Sequence, residues 1–268
     1  MNLPQTQSLQ IRRRLRIIRV TRNMLRHWLA IVVVLLGILN VLPFLAPVAM
    51  RFGWTAGGDA IYLLYSPLCH QMAQRSFFIF GPKAMYSLDE LPLNFNGNNI
   101  TDLLLLKAFQ GNSDLGWKVA WSDRMVAMYG GLWIASIVYG LLRRKSNFNS
   151  ISIWIALLLT LPITIDGITH MVSDLNGLTA GFRFNNEWLA KLTTHSLPDS
   201  FYQGDAFGSF NSWMRLASGV MFGIGIAAFG LPLVNAESRS IVRTLSEKLA
   251  RYDERIDYSS NDHTPNGA

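Results

Sequence analysis

Apolar residues along this chain gather into four runs rather than spreading through it. They are Trp28 to Met50, Met125 to Leu142, Ile151 to Ile165 extended toward Val172, and Leu216 to Ala236. A helix needs about 20 predominantly apolar residues to cross the hydrocarbon core of a bilayer, and these runs meet or approach that length. The pattern predicts an all-α membrane protein with about four transmembrane helices, over roughly 28–50, 124–142, 151–172 and 213–236. Residues 1–27 then read as a basic cytoplasmic arm, 28–236 as the transmembrane domain and 237–268 as a cytoplasmic tail.

The stretches between the runs carry their own signals. Thr55 to Gly81 holds an apolar segment too short to span, interrupted by Pro67, and reads as a re-entrant or interfacial element against the outer ends of the spans. Pro82 to Ser122 and Ser173 to Asn211 are long enough to predict two structured extracytoplasmic loops. In the first, Leu88 to Ile100 favours turns, and Thr101 to Phe109 predicts a short helix capped by Thr101. Asn99-Ile100-Thr101 fits the glycosylation acceptor pattern, which has meaning only in a eukaryotic secretory host. Pro43 and Pro47 are expected to kink or end the first span. Gly130, Gly131 and Ala135 let another helix approach the second span; Gly219-Val220-Met221-Phe222-Gly223 offers a similar face on the fourth, for packing within the chain or for dimerisation. The arginine-rich arm, with Ile11, Leu15, Ile17, Ile18 and Leu25, suits either an amphipathic surface helix or a disordered topogenic tail. The other terminus reads as a charged helix that gives way to disorder.

Charge sets the orientation. Arg12, Arg13, Arg14, Arg16, Arg19, Arg22 and Arg26 precede the first span, Arg143, Arg144 and Lys145 follow the second, and Arg239, Arg243, Lys248, Arg251 and Arg255 follow the fourth. With four spans these fifteen of the 24 basic residues fall on one side, which the positive-inside rule makes cytoplasmic. The net charge of +7 therefore reflects topology and an affinity for anionic lipid, and does not point to nucleic acid. A single cysteine, Cys69, excludes an internal disulfide. The first apolar run is long, begins late and lacks a small-residue cleavage site, so no cleaved signal peptide is expected.

Candidate chemistry centres on Asp166 and His170, which lie four residues apart and share a helix face near the membrane edge. The topology brings Cys69, His70, Gln71, Arg75, Arg124, Asn211 and Arg215 to the same level. Two arginines against one aspartate leave a positive surplus that an anion would balance, with Arg75, Arg124 and Arg215 in contact and Asp166, His170 and Asn211 orienting them. A plain salt-bridge network pinning the helices is the competing reading. A metal site would use His70, Asp166 and His170. Cys69 with His70 as a nucleophilic pair fits poorly, because adjacent residues seldom face each other on a helix. Haem between His70 and His170 is conceivable, but no Cys-x-x-Cys-His motif accompanies it. His195 and His263 read as solvated. No P-loop, nucleophile elbow or dinucleotide fingerprint is present, and no cofactor follows from the residues.

Four short motifs also stand in one order. Cys69-His70-Gln71 with Arg75-Ser76-Phe77, then Ser122-Asp123-Arg124 through Tyr129-Gly130-Gly131, then Leu161-Pro162 through Asp166-Gly167, and last Asn211, Arg215, Ser218-Gly219 and Gly223 together resemble the membrane-protein family called domain of unknown function 2085. The resemblance covers roughly residues 65 to 230. It departs where the family pattern has two cysteines and this chain has Ser122 and Met125, which weakens any thiolate site implied by the family.

These readings converge on an accessory or binding membrane protein of unestablished activity, with a polar pocket at the outer leaflet for an anionic ligand or lipid headgroup. Two other classes remain: a metal-dependent or redox membrane enzyme using His70, Asp166 and His170, and a small transporter, which with four spans would act as an oligomer. The expected partners are the lipid bilayer, including anionic lipid, and a second copy or larger membrane complex.

Overall fold

A computed structural model describes residues 5–97, 99–143 and 148–261, with side chains described from Ile11 to Tyr252 within those ranges. Arg144, Lys145, Asp262 and His263 lie outside the described residues. The helix α1 (Gln5–Arg26) leads into α2 (Trp28–Arg51), and a short α3 (Thr55–Tyr65) follows. Beyond β1 (Ser76–Ile79), α4 (Asn99–Ala108), β2 (Gly111–Asn112) and β3 (Gly116–Ser122), the chain enters α5 (Asp123–Leu142) and α6 (Ile153–Leu175). Three short helices, α7 (Phe182–Asn185), α8 (Glu187–Leu192) and α9 (Asp199–Tyr202), precede α10 (Phe210–Asn261).

Four of these helices, α2, α5, α6 and the first part of α10, are long and apolar enough to cross a membrane. The chain is a multi-pass membrane protein, and its spans run alternately up and down. At one end Leu29, Tyr139, Ala227 and Leu231 form a buried cluster joining α2, α5 and α10. We call this the basic end, because Arg26, Arg143 and Arg239 lie beside it.

Two glycines explain how closely α10 approaches α5. A Cβ at Gly219 would sit 2.9 Å from the Ala127 Cβ, and one at Gly223 would sit 2.5 Å from the Leu132 nitrogen. The Gly-x-x-x-Gly face therefore packs within the chain. On its other side α10 packs against α6, where Gly225 faces Leu159.

Prolines within the spans leave carbonyls without their usual donor four residues ahead. Pro43 frees the Leu39 carbonyl, which accepts from the Tyr65 hydroxyl at 2.9 Å. Pro232 frees the Ala228 carbonyl, which accepts from the Ile151 amide at 3.4 Å. Because other groups meet these carbonyls, α2 runs on past both prolines to Arg51, rather than ending at them, and α10 continues as a single 52-residue helix. At 1.5 Å per residue that helix is about 78 Å long, so the fourth span and the charged segment after it are one element. The arm is helical too: α1 packs along the extension of α10, with Leu15 and Leu249 buried.

Opposite the basic end sits a cap that the hydrophobic pattern did not predict in full. It contains a small antiparallel sheet in the order β1-β3-β2, with Phe78 opposite Lys118 and Gly111 opposite Trp117. Helix α3, eleven residues long, packs against α2 and β3, placing Tyr62, Tyr65, Cys69, Val119 and Trp121 in one buried cluster. Helix α4 begins at Asn99, so Thr101 lies in its first turn and is not its cap.

Lys118 on β3 is fully buried. Its ammonium donates to the carbonyls of Gln71 and Lys107, each at 2.7 Å, and of Leu106 at 3.4 Å. Burial pushes its pKa from 10.5 down to about 7.

Two outcomes follow from this packing. Gly223→Leu sharply lowers the melting temperature in mild detergent, whereas Gly230→Leu leaves it nearly unchanged, since nothing lies within 4 Å of a Cβ at Gly230. For Lys118 the folded pKa lies below the unfolded value. The cost of its burial is complete below pH 7 and is relieved as pH rises toward 10.5. Wild type should therefore gain stability relative to Lys118→Met over that window in pH-dependent melting; parallel curves would contradict the assignment.

Candidate functional site

Four arginines and four aspartates meet where the spans join the cap. Asp123 opens α5 and accepts from Arg215 in the second turn of α10, with the Arg215 Nε 2.8 Å from both carboxylate oxygens. Arg215 also donates from Nη1 to Asp205 at 2.6 Å and from Nη2 to the Asp205 carbonyl at 2.7 Å. Arg75, in the turn before β1, holds Asp174 through two 2.8 Å bonds and reaches Asp205 through Nε at 2.8 Å. Asp166 on α6 accepts from Arg124 and from Arg183, each at 2.7 Å. The Arg124 amide, donating to Asp123 at 2.7 Å, joins the two halves.

This network ties α5, α6 and α10 to both loops. It is deeply buried: the Arg215 and Asp123 side chains are 1% and 0% exposed. Outside the spans, burial would raise the Asp205 pKa, but Arg75 and Arg215 hold it well below the ordinary carboxylate range. Burial would likewise weaken the Arg75 charge, and Asp205 and Asp174 more than restore it. At Arg183 burial prevails over Asp166 and lowers the pKa.

The sequence-based site is partly assembled and partly reassigned. Arg75, Arg124, Asp166, His170 and Arg215 do converge. The positive surplus expected from them is absent, because Asp123, Asp174 and Asp205 join and bring four carboxylates to four guanidiniums. Asp174 had a signal, lying four residues beyond His170 on nearly the same face of α6. Arg183 and Asp205 sit in a loop, where charged residues read as solvated.

Gln71 and Asn211 act on the backbone. Gln71 donates to the carbonyls of Tyr62 and Ala120, at 2.9 and 3.0 Å. Asn211 donates to those of Arg183 and Gly204, at 2.6 and 2.9 Å, fixing the second loop on α10. His170 Nε2 lies 3.1 Å from Arg183 Nη2. A guanidinium only donates, so Nε2 accepts and the ring carries its proton on Nδ1. That lone pair is already engaged, and His70 lies elsewhere, exposed at a cavity mouth. No group of three or more His, Cys, Asp or Glu suited to a metal occurs among the described residues. Cys69 Sγ accepts from the amides of Gln71 and Ser122, at 3.3 and 3.4 Å.

A small polar cavity of about 80 Å³ opens beside the network. Arg75, Arg124, Arg215 and His70 line it, and no carboxylate among the described residues does. Arg124 meets Asp166 through Nη2, and its buried Nε has no hydrogen-bond partner among the described residues. Ser122 and Met125 line the same cavity together with Cys69.

Residues 114–229 match the family model described as a predicted membrane protein, DUF2085. Over that segment the chain is similar to this family. The match takes in the motifs around Arg124, Asp166 and Arg215 but not Cys69 to Gly81, so it is shorter than the resemblance implied. An uncharacterized protein of Methanocaldococcus jannaschii is 25% identical over 153 residues, covering 52% of this chain and 76% of that relative. No solved structure matches the chain.

Removing one partner from a buried ion pair leaves an uncompensated charge, at a cost of about 3–5 kcal/mol. Arg215→Met should lose stability of that size in unfolding titrations, and adding Asp123→Asn should recover part of it. A single-variant cost below about 1 kcal/mol, the level of an exposed pair, would contradict a buried network.

Proposed function

We propose that this protein is an accessory membrane protein whose small cavity receives an oxyanion, a free phosphate or carboxylate or a lipid phosphate, at the outer face of the cell membrane. The orientation rests on the positive-inside rule, which puts both termini in the cytoplasm and the cavity outside. The observation that carries the reading is the lining: three guanidiniums and an imidazole face the cavity, while their aspartates lie behind them. Local donors thus point one way although the cluster as a whole is neutral. Arg124 is the group with donor capacity to spare, and its planar guanidinium suits an oxyanion.

A second reading is that the network only fastens the cap to the spans. Its equal numbers of Arg and Asp favour this. The enzyme and transporter readings gain no comparable support: the described residues hold no metal-ligand cluster, and the polar groups gather at one end of the bundle.

Thermal melting of the purified protein in mild detergent separates these readings. Inorganic phosphate, or phosphatidylglycerol if the anion is a headgroup, should raise the melting temperature of wild type. Arg124→Gln should abolish the rise while keeping the fold. No shift with either probe would leave the fastening role.

A further inference from the structure

A site of different character opens at the basic end. An apolar groove of about 640 Å³ runs along α5 and α10, lined by Gly131, Ala135 and Val138 on one helix and by Val220, Ile224 and Ala228 on the other. These positions recur at three- and four-residue intervals, so each set is one helical stripe. Val138 and Ile224 each remain 45% exposed.

Residues 148–151 fold over the end of the groove, where Ser150 Oγ donates to the Phe229 carbonyl at 2.8 Å. There the groove passes into a polar pocket of about 370 Å³; Tyr139, Phe148, Asn149 and Pro232 line both. Arg143, Arg239 and Asn235 line that pocket, and the same three line an adjoining pocket of about 570 Å³ with Arg26 and Arg243. Among the described residues, no Asp or Glu lines any of the three spaces.

We propose that this is a binding site for an anionic glycerophospholipid, with one acyl chain in the α5/α10 groove and the phosphate accepting from Arg143 and Arg239. The argument is complementarity over two adjoining spaces. In a bilayer the groove calls for a hydrocarbon chain, and its polar end calls for an anion; a phospholipid of the leaflet at that end presents both in one molecule. A free phosphate would leave the groove unused. A second copy inserted in the same orientation would bring its own arginines against these. Guanidiniums match phosphate oxygens through paired N–H donors, and the neighbouring Arg26 and Arg243 strengthen the local field. The site is independent of the cavity at the other end, so either proposal can fail alone.

Native mass spectrometry of the full chain in mild detergent tests it, with phosphatidylglycerol and phosphatidylcholine titrated in parallel. Wild type should bind phosphatidylglycerol about thirtyfold more tightly, the preference expected of two arginines near a headgroup. Arg239→Gln should cut that preference, and Arg143→Gln with Arg239→Gln should remove it, weakening phosphatidylglycerol more than phosphatidylcholine. Ala228→Phe, which fills the groove, should weaken both lipids. Because Arg143 also donates to Asn235 at 2.9 Å, the single change at exposed Arg239 keeps the test valid if the double variant misfolds. Equal binding of the two lipids, or an unchanged preference in Arg239→Gln, overturns the proposal. A lipid-free dimer dissociated by Ala228→Phe also overturns it and assigns the groove to a second copy.

Discussion

The pairing of Arg215 with Asp123 is the constraint on which the rest of this structure depends. Neither side chain reaches solvent, and the arginine passes its remaining donors to Asp205 in a loop. A guanidinium beginning one span and a carboxylate beginning another could not stay charged at that depth alone. Each pays for the other's desolvation only because the geometry is close and the spare lone pairs are met. Asp123 also lies at the N-terminus of α5, where the helix dipole favours a negative charge. From this pair the network spreads through Asp205 to Arg75 and through Arg124 to Asp166, making the position of the cap and the spacing of three spans a single problem with one solution.

The two ends of the bundle solve their electrostatics differently. At the cap, guanidiniums and carboxylates are matched and buried, and the sheet with α3 shields them. Even Lys118, without a carboxylate beside it, is met by three backbone carbonyls. At the basic end the arginines line pockets with no acid among the described residues, next to an apolar groove between helices. The prolines follow the first pattern: the carbonyls freed by Pro43 and Pro232 are taken by Tyr65 and Ile151, so the interruptions become contacts between elements.

Much of the fold was legible in the residues because its signals are local. Four apolar runs are read from consecutive positions, and Asp166 and His170 share a face because a helix repeats every 3.6 residues. The small residues at Gly219 and Gly223 announced close packing, though not which helix would fill the space. The sheet escaped notice because its strands are only two to seven residues long, and the longest, β3, is buried almost throughout and shows no alternation.

The sequence alone determined that this chain carries four runs long and apolar enough to cross a membrane, that its basic residues gather at one end and that polar groups gather at the other. Hydrophobic length and charge asymmetry are sums over neighbouring residues and need no partner. Only the tertiary structure decided that the polar cluster is neutral. Arg215 meets Asp123 across 92 residues of chain, and Arg75 meets Asp205 across 130. No periodicity connects positions so far apart. The choice among several arginines and aspartates is made by which pairs can be desolvated together when the spans and loops close on one another.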